Sequence, residues 1–266
     1  MKNLNTELLL YLILLSSVIF GINYGLIFIN IAVFLSILII VVSIRFIEKN
    51  NIIKFLCLEI KKNSLIKFLI ASFWATLILL INFSLTIYLG GIIIIKNYIM
   101  IQKIFYSAKI FVFLLMQYLI ISLIEETIFR GYILKKLSQN LNTSNAIFLT
   151  SVLFSLMHIP NILENNVPDY FIPLILFNLF LLSFVLCKIN LKNKTLWAPI
   201  GFSTFYKVTT VGFIKNHFVQ IDLAESLVFG SIKWMPESSL LFSILIILFI
   251  TLEKIITLRT FKFQKS

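Results

Sequence analysis

Long apolar runs follow one another along the chain, and short polar segments separate them. A helix needs about 20 mostly apolar residues to cross the hydrocarbon core, where every backbone N–H and C=O must be satisfied within the segment. The pattern therefore predicts an all-α, polytopic membrane protein with about eight transmembrane helices. The predicted spans lie near residues 8–23, 26–44, 68–90, 110–137, 144–159, 170–187, 195–214 and 236–252. In the last of them Pro236 and Glu237 form a helix-start signal.

Composition agrees with a chain whose solvent is the bilayer. Of the 266 residues, 60% are hydrophobic and 13% are charged, and the formal net charge is +12. The basic residues collect between the apolar runs, which indicates membrane topology and contact with anionic lipid rather than nucleic-acid binding. Cys57 and Cys187 lie beside different apolar runs, so no disulfide framework or cysteine metal site is expected.

The distribution of lysine and arginine predicts the sidedness of the spans, because positive residues are retained on the cytoplasmic face. If the basic segment 45–67 is cytoplasmic, alternation of the spans also makes 130–136, 188–194 and 254–265 cytoplasmic. The 160–169 segment, which is acidic, then lies outside. We therefore expect a multi-pass protein of the bacterial inner membrane with both termini in the cytoplasm.

Three charged residues interrupt the fourth predicted span. Glu125, Glu126 and Arg130 would each cost several kcal/mol inside a membrane unless they were paired or hydrated. On a helix Glu126 and Arg130 share a face, whereas Glu125 points about 100° away. One acid is then tied in an ion pair and its neighbour is available as a general base. A purely structural ion pair is the alternative, but intramembrane charges usually mark functional sites.

His158, near the end of the fifth predicted span, is a second candidate. At ~1.5 Å of rise per residue, Glu125 lies ~18 Å from its cytoplasmic helix end and His158 ~21 Å from its own, so the two side chains can meet. Phe154 lies one turn before His158 on the same face, and Pro160 with Asn161 is expected to end the segment. A lone histidine is often only a satisfied core residue, but the matched depth favours a role in catalysis.

Two motifs resemble those of a known family. Glu125, Glu126 and Arg130 form an EExxxR motif, and Phe154 and His158 form an FxxxH motif. These motifs are similar to those of the CPBP family, which contains CAAX proteases and bacteriocin-processing enzymes and is also called Abi.

Further segments extend the resemblance to roughly residues 110–250. The stretch 195–201, Thr-Leu-Trp-Ala-Pro-Ile-Gly, resembles the third conserved stretch of the family, and Gly230 followed by 236–240 resembles the loop before its last helix. The resemblance divides the chain into N-terminal transmembrane helices (1–105), a catalytic core (106–253) and a basic cytoplasmic tail (254–266).

The resemblance implies a helical membrane protein that encloses a polar cavity and cleaves peptide bonds near the membrane surface. Glu125 would activate a water molecule with the help of Glu126 and His158, while Arg130 holds the acid pair. The partners implied are a membrane-tethered protein or peptide and the lipid bilayer, with no nucleic acid. We expect no cofactor and no metal, because the chain has only two histidines and no HExxH motif.

The chain departs from the family after Gly201. Where the family shows His, and Asn or Asp four residues later, this chain has Ser203 and Lys207. Both donate hydrogen bonds from one helical face, so they could replace the family's residues as oxyanion donors, or they could disable the site. Lys207 either pairs with Glu125 at the same depth or extends to the outer interface. His217 is expected in an outer loop, too far along the chain to substitute.

Three functions are compatible with this pattern. The first is a glutamate-dependent intramembrane endopeptidase. The second is a catalytically silent family member that acts as a membrane binding, immunity or assembly protein, which the Ser203 and Lys207 pair would favour. The third is a transporter, although the chain lacks paired broken helices in matching halves. The sequence does not identify the substrate.

Overall fold

The structure is a computed structural model that describes residues 52–60, 62–90, 101–210, 225–231 and 234–263. The first two predicted spans, 8–23 and 26–44, and His217 lie outside the described residues. Within them the protein is all-helical, and an antiparallel bridge between Ser226 and Gly230 is isolated. The helices are α1 Ile52–Phe55, α2 Lys62–Tyr88, α3 Ile101–Glu126, α4 Leu134–Asn140, α5 Thr143–Leu156, α6 Ile159–Glu164, α7 Ile172–Asn193, α8 Trp197–Lys207 and α9 Leu240–Phe263.

Among the described residues, four stretches are long and apolar enough to cross a membrane, and the chain is a membrane protein. They are Asn63–Tyr88, Phe111–Asn140, Thr143–Glu164 and Asp169–Asn193, and a shorter apolar helix covers Leu240–Leu252. These four correspond to the third to sixth predicted spans. The predicted total of eight is not reached among the described residues, which leave out the first two predicted spans and end at residue 210 within the seventh.

The fifth span ends differently from the prediction. Helix α5 already ends at Leu156, and Pro160 lies in the first turn of α6 rather than closing the segment. Proline is tolerated there because the first N–H groups of a helix lack partners within it.

Helix α9 begins at Leu240, so the prediction that Pro236 and Glu237 open it is wrong. The residues before Leu240 form a turn that α7 holds in place. Asn178 Nδ2 donates to the carbonyl oxygens of Glu237 (2.7 Å) and Ser239 (3.0 Å), and the Ser239 hydroxyl accepts from the N–H of Phe242 (3.1 Å). A serine N-cap, rather than the proline, therefore sets the helix start.

The core of the bundle depends on a close approach between α2 and α8. A side chain at Gly201 of α8 would place its Cβ 2.4 Å from the Phe68 carbonyl oxygen of α2, so only glycine allows this distance. The Ser72 hydroxyl also donates to the Gly201 carbonyl (3.1 Å). Small residues and hydroxyl hydrogen bonds of this kind hold helices together where lipid offers no hydrophobic driving force. Helix α8 is thereby fixed between α2 and α3.

Three basic segments meet at one end of the bundle. Lys67 Nζ donates to the Asn193 carbonyl (2.8 Å), and Lys135 Nζ donates to the Phe55 carbonyl (2.6 Å). The segments predicted to share the cytoplasmic side, around residues 54–67, 130–136 and 188–194, are thus neighbours in space. We call this the lysine end.

Candidate active site

The helix that carries the charged motif changes its geometry at the motif. Helix α3 ends at Glu126, and Thr127–Ile133 form a π-helical segment before α4 begins. A π-helix is rare and occurs frequently at functional sites, because its i→i+5 hydrogen bonds alter the direction of side chains and release carbonyl groups. The Arg130 carbonyl accepts a hydrogen bond from Asn190 Nδ2 of α7 (3.3 Å). This bond ties the π-helical segment to the neighbouring helix.

Glu126 and Arg130 form a sealed ion pair. Arg130 Nη1 lies 3.1 Å from Glu126 Oε1, and both side chains are 0% exposed. Arg130 Nη2 also donates to the Ser183 hydroxyl at 2.9 Å. The guanidinium carbon lies 4.5 Å from the centre of the Phe154 ring and 5.9 Å from that of Phe129, so aromatic faces complete its surroundings. Neither charge can be reached from outside the protein.

Glu125 is also paired, but its pair is accessible. Lys207 Nζ donates to Glu125 Oε2, and each of the two side chains is 18% exposed. Of the two positions considered for Lys207, the structure shows the ion pair. Because Lys207 lies at the end of α8 and Glu125 in the last turn of α3, this contact joins two helices far apart in sequence. Glu125 is thus an intramembrane carboxylate that outside groups can approach.

His158 joins the same cluster through its position between two helices. It lies between α5 and α6, and Nδ1 is 2.8 Å from the Phe154 carbonyl oxygen. A carbonyl oxygen only accepts, so Nδ1 carries a proton and Nε2 is the nitrogen left for other partners. The imidazole is within electrostatic range of both Glu125 and Lys207. His158 and Glu125 therefore belong to one electrostatic cluster, as the matched depth predicts.

Ser203 lies one turn before Lys207 on α8 and is buried. Its hydroxyl lies beside the Glu126 carboxyl group. The two residues that depart from the family pattern therefore face the acid pair, one toward each glutamate. The structure brings together all six residues that sequence reasoning selected: Glu125, Glu126, Arg130, His158, Ser203 and Lys207.

Sequence reasoning missed the groups that support this cluster. Ser183 and Asn190 of α7 bind the side chain and the carbonyl of Arg130, and Phe129 packs edge-on against Phe154 with ring centres 5.2 Å apart. Of these residues, only Asn190 could have been identified from the sequence, because an amide in the last turns of an apolar helix needs a hydrogen-bond partner. A serine or phenylalanine in such a helix is too common to single out.

No group of three or more His, Cys, Asp or Glu side chains that could hold a metal ion occurs within the part of the chain that the structure describes. The two glutamates of the site form ion pairs with Arg130 and Lys207 instead. The interpretation without a metal stays a prediction.

Comparison with known proteins supports the family resemblance. Residues 107–209 match the model of the family described as type II CAAX prenyl endopeptidase Rce1-like, within the CPBP family. The matched segment runs from α3 to the end of α8 and contains all six cluster residues. The suspected resemblance is thereby confirmed over this segment. No curated protein matches the chain.

Proposed function

We propose that the protein is an intramembrane, glutamate-dependent endopeptidase, similar to CAAX proteases, that cleaves a membrane-associated protein or peptide. One observation carries the proposal: an accessible carboxylate, Glu125, lies against a sealed Glu126–Arg130 pair and near His158. A purely structural ion pair would need only the sealed residues. The match to an endopeptidase family over this same segment supports the interpretation.

In the proposed reaction, Glu125 acts as the general base. Lys207 binds Oε2, so Oε1 is the oxygen that would accept a proton from water. The hydroxide forms a bond to the carbonyl carbon of the scissile amide, and the carbonyl electrons move to oxygen. When the C–N bond breaks, the leaving nitrogen takes the proton that Glu125 accepted. The carbonyl double bond re-forms as the C–N bond breaks, so the products are a carboxylic acid and an amine. The acid then loses its proton and the amine gains one, and no further reactant is needed.

The other accessible groups would stabilise the charge that develops on the carbonyl oxygen. Lys207 donates through its ammonium, and His158 can donate through Nε2 once it is protonated. Ser203 is buried, and its hydroxyl would act from its place beside Glu126. In this way the serine and lysine would take the place of the His and Asn or Asp of the family.

Glu126 and Arg130 would act as positioning residues, because neither can touch a substrate. Arg130 has a fixed fork of donors that joins Glu126 to Ser183, and it holds the π-helical segment that follows Glu125. The orientation of Glu125 then depends on a rigid neighbour rather than on a flexible helix end. The remaining features, a polar cavity around the cluster, a bacterial inner membrane location and cytoplasmic termini, belong to the same proposal.

The ion pair of Lys207 with Glu125 also favours a second candidate, a silent family member that binds a membrane protein or peptide. In that case the pair is structural, and the carboxylate never accepts a proton. Glu125→Gln distinguishes the two candidates because glutamine keeps the shape and the hydrogen bond but is not a base. A binding protein tolerates it, whereas a protease does not.

The test compares protein C-termini in membranes of cells that produce the wild-type protein, Glu125→Gln or Glu164→Gln. Glu164 lies exposed at the end of α6, outside the cluster, so it is a matched control. We expect new C-termini, identified by mass spectrometry, with the wild type and the control only. Equal amounts of each variant are verified by immunoblotting. New C-termini that persist in Glu125→Gln would exclude Glu125 as the base.

A further inference from the structure

A basic cavity lies at the lysine end, away from the candidate active site. Its volume is about 550 Å³, and four lysines and one glutamate line it: Lys54, Lys67, Lys192, Lys194 and Glu59. The lysines come from three separate parts of the chain, namely α1, α2 and the C-terminal end of α7. The cavity is polar and open to the outside, so an anionic group of moderate size can enter it.

An apolar groove of about 410 Å³ continues from this cavity along the side of the bundle. The two share Lys67, Lys192 and Asn193. The walls of the groove come from α2, α7 and α9 and are mostly apolar: Ile70, Ala71, Trp74, Ile189, Phe249 and Leu252. A basic cavity that opens into an apolar groove fits a ligand with a negative head and an apolar tail.

The end of α7 contributes to this arrangement. A helix C-terminus carries roughly half a negative charge, which favours cations such as Lys192 and Lys194, and Lys67 donates to the Asn193 carbonyl there. Four lysines and one glutamate give the lining of the cavity a formal charge of +3, which is complementary to an anionic group.

We infer that this cavity and groove bind an anionic phospholipid, with its phosphate among the lysines and one acyl chain along the groove. Basic pockets between helices at a membrane surface recognise phosphate head groups in this manner. Ser183, which touches Arg130, lies ten residues before Asn193 on α7, so the site is ~15 Å from the level of the ion pairs. The inference therefore does not depend on the proposed protease activity.

The head-group part is tested with purified full-length protein in a mild detergent, by native mass spectrometry. The probes are palmitoyl-oleoyl phosphatidylglycerol and phosphatidylcholine with the same acyl chains. We expect phosphatidylglycerol to bind more tightly, and Lys192→Gln to weaken its binding about fivefold, the equivalent of ~1 kcal/mol for one lysine that faces an anionic lipid. Lys188→Gln, one turn earlier on α7 and outside the cavity, is the matched control and should change binding by less than about twofold.

The acyl-chain part is tested with Ile70→Trp, which narrows the groove, and Ile66→Trp, which is exposed on the same helix outside it. Only Ile70→Trp should weaken phosphatidylglycerol binding. Competition with inorganic phosphate distinguishes a lipid from a free anion. The inference is overturned if the two lipids bind equally, if both lysine variants behave alike, or if inorganic phosphate displaces the lipid while Ile70→Trp has no effect.

Discussion

Arg130 has more partners than any other charged residue described in the cluster. Its guanidinium binds Glu126 and Ser183 and lies against the rings of Phe129 and Phe154, and none of its side chain is exposed. A buried ion pair gains little net stability relative to apolar residues of similar size, but the loss of one partner is costly because the other charge stays buried. Because of this asymmetry, the effect of the Glu126–Arg130 pair on stability can be tested without a substrate.

Arg130→Met should lower the free energy of unfolding by about 3–5 kcal/mol, since Glu126 would remain buried without its cation. Arg130→Met combined with Glu126→Leu removes both charges and should recover most of that loss. Thermal unfolding of the purified proteins in detergent measures both effects. If the double variant is no more stable than Arg130→Met, the loss of stability does not come from leaving Glu126 buried without its cation.

Substitution of Lys207 tests whether this residue, which pairs with Glu125, takes part in catalysis. If it donates to the developing oxyanion, Lys207→Met should lower the rate of cleavage about 10²-fold, the usual loss for one such donor. Lys188→Met removes a lysine that lies elsewhere, over the Phe184 ring, and should leave the rate unchanged. The rate is measured on a peptide substrate identified by the mass-spectrometric comparison of protein C-termini described above. A faster reaction in Lys207→Met would show that the ion pair inhibits the enzyme.

The sequence alone predicted the Glu126–Arg130 pair from its spacing, and it gave the Lys207–Glu125 pair as one of two alternatives from the matched depth. Glu126 and Arg130 are four residues apart on one helix, and Lys207 and Glu125 are at the same depth on two helices. Spacing could not choose between the ion pair and an extended Lys207, because a long flexible side chain reaches several places. The contact of Ser183 with Arg130 depends on how α7 packs, which no local pattern encodes.

At the scale of the elements, the π-helical segment and the tight contact of α8 with α2 place the cluster. Thr127–Ile133 follow the two glutamates, and Gly201 lets α8 approach α2 closely enough for Lys207 to reach Glu125. The π-helical segment was not predictable, because its residues also suit an α-helix and its hydrogen bonds depend on partners such as Asn190. The start of α9 at Leu240 was missed for a similar reason, since α7 holds the preceding turn.

Gly201→Ala should destabilise the protein by at least about 1–3 kcal/mol, because the new Cβ would overlap the backbone of Phe68 and push α8 from α2. Gly131→Ala is the matched control. Its Cβ would come closest to side-chain methyl groups of Leu196 and Leu56, each at 3.0 Å, and these can move, while the Glu126 carbonyl oxygen would be at an ordinary contact distance of 3.7 Å. Melting temperatures in detergent are compared. Equal losses in the two variants would contradict the close α2–α8 contact.

At the scale of the whole molecule, the lysine end and the acidic segment near Glu164 belong to opposite ends of the bundle, since α7 separates them. Clustering of basic residues at one end agrees with the sidedness that the sequence predicts. Hydropathy identified the long spans well, because each satisfies its own backbone. Of the seventh predicted span, 195–214, the structure describes residues 195–210, and most residues of α8 within it are buried in the bundle.

Sidedness is measured by labelling single cysteines with a membrane-impermeant maleimide in a Cys57→Ser background. Cys187 stays in place because it is fully buried. Asn165→Cys, after α6, should react in intact cells, whereas Lys192→Cys should react only after the cells are opened. The opposite pattern would reverse the predicted orientation of the protein.

The most direct test of the catalytic account is cleavage of an identified peptide by purified protein in proteoliposomes, with wild type and Glu125→Gln compared in water enriched in oxygen-18. The account predicts that the wild type produces a new C-terminus that carries oxygen-18, and that Glu125→Gln is about 10²- to 10⁴-fold slower, the usual loss on removal of a general base. Cleavage at the same rate by the two proteins would contradict it.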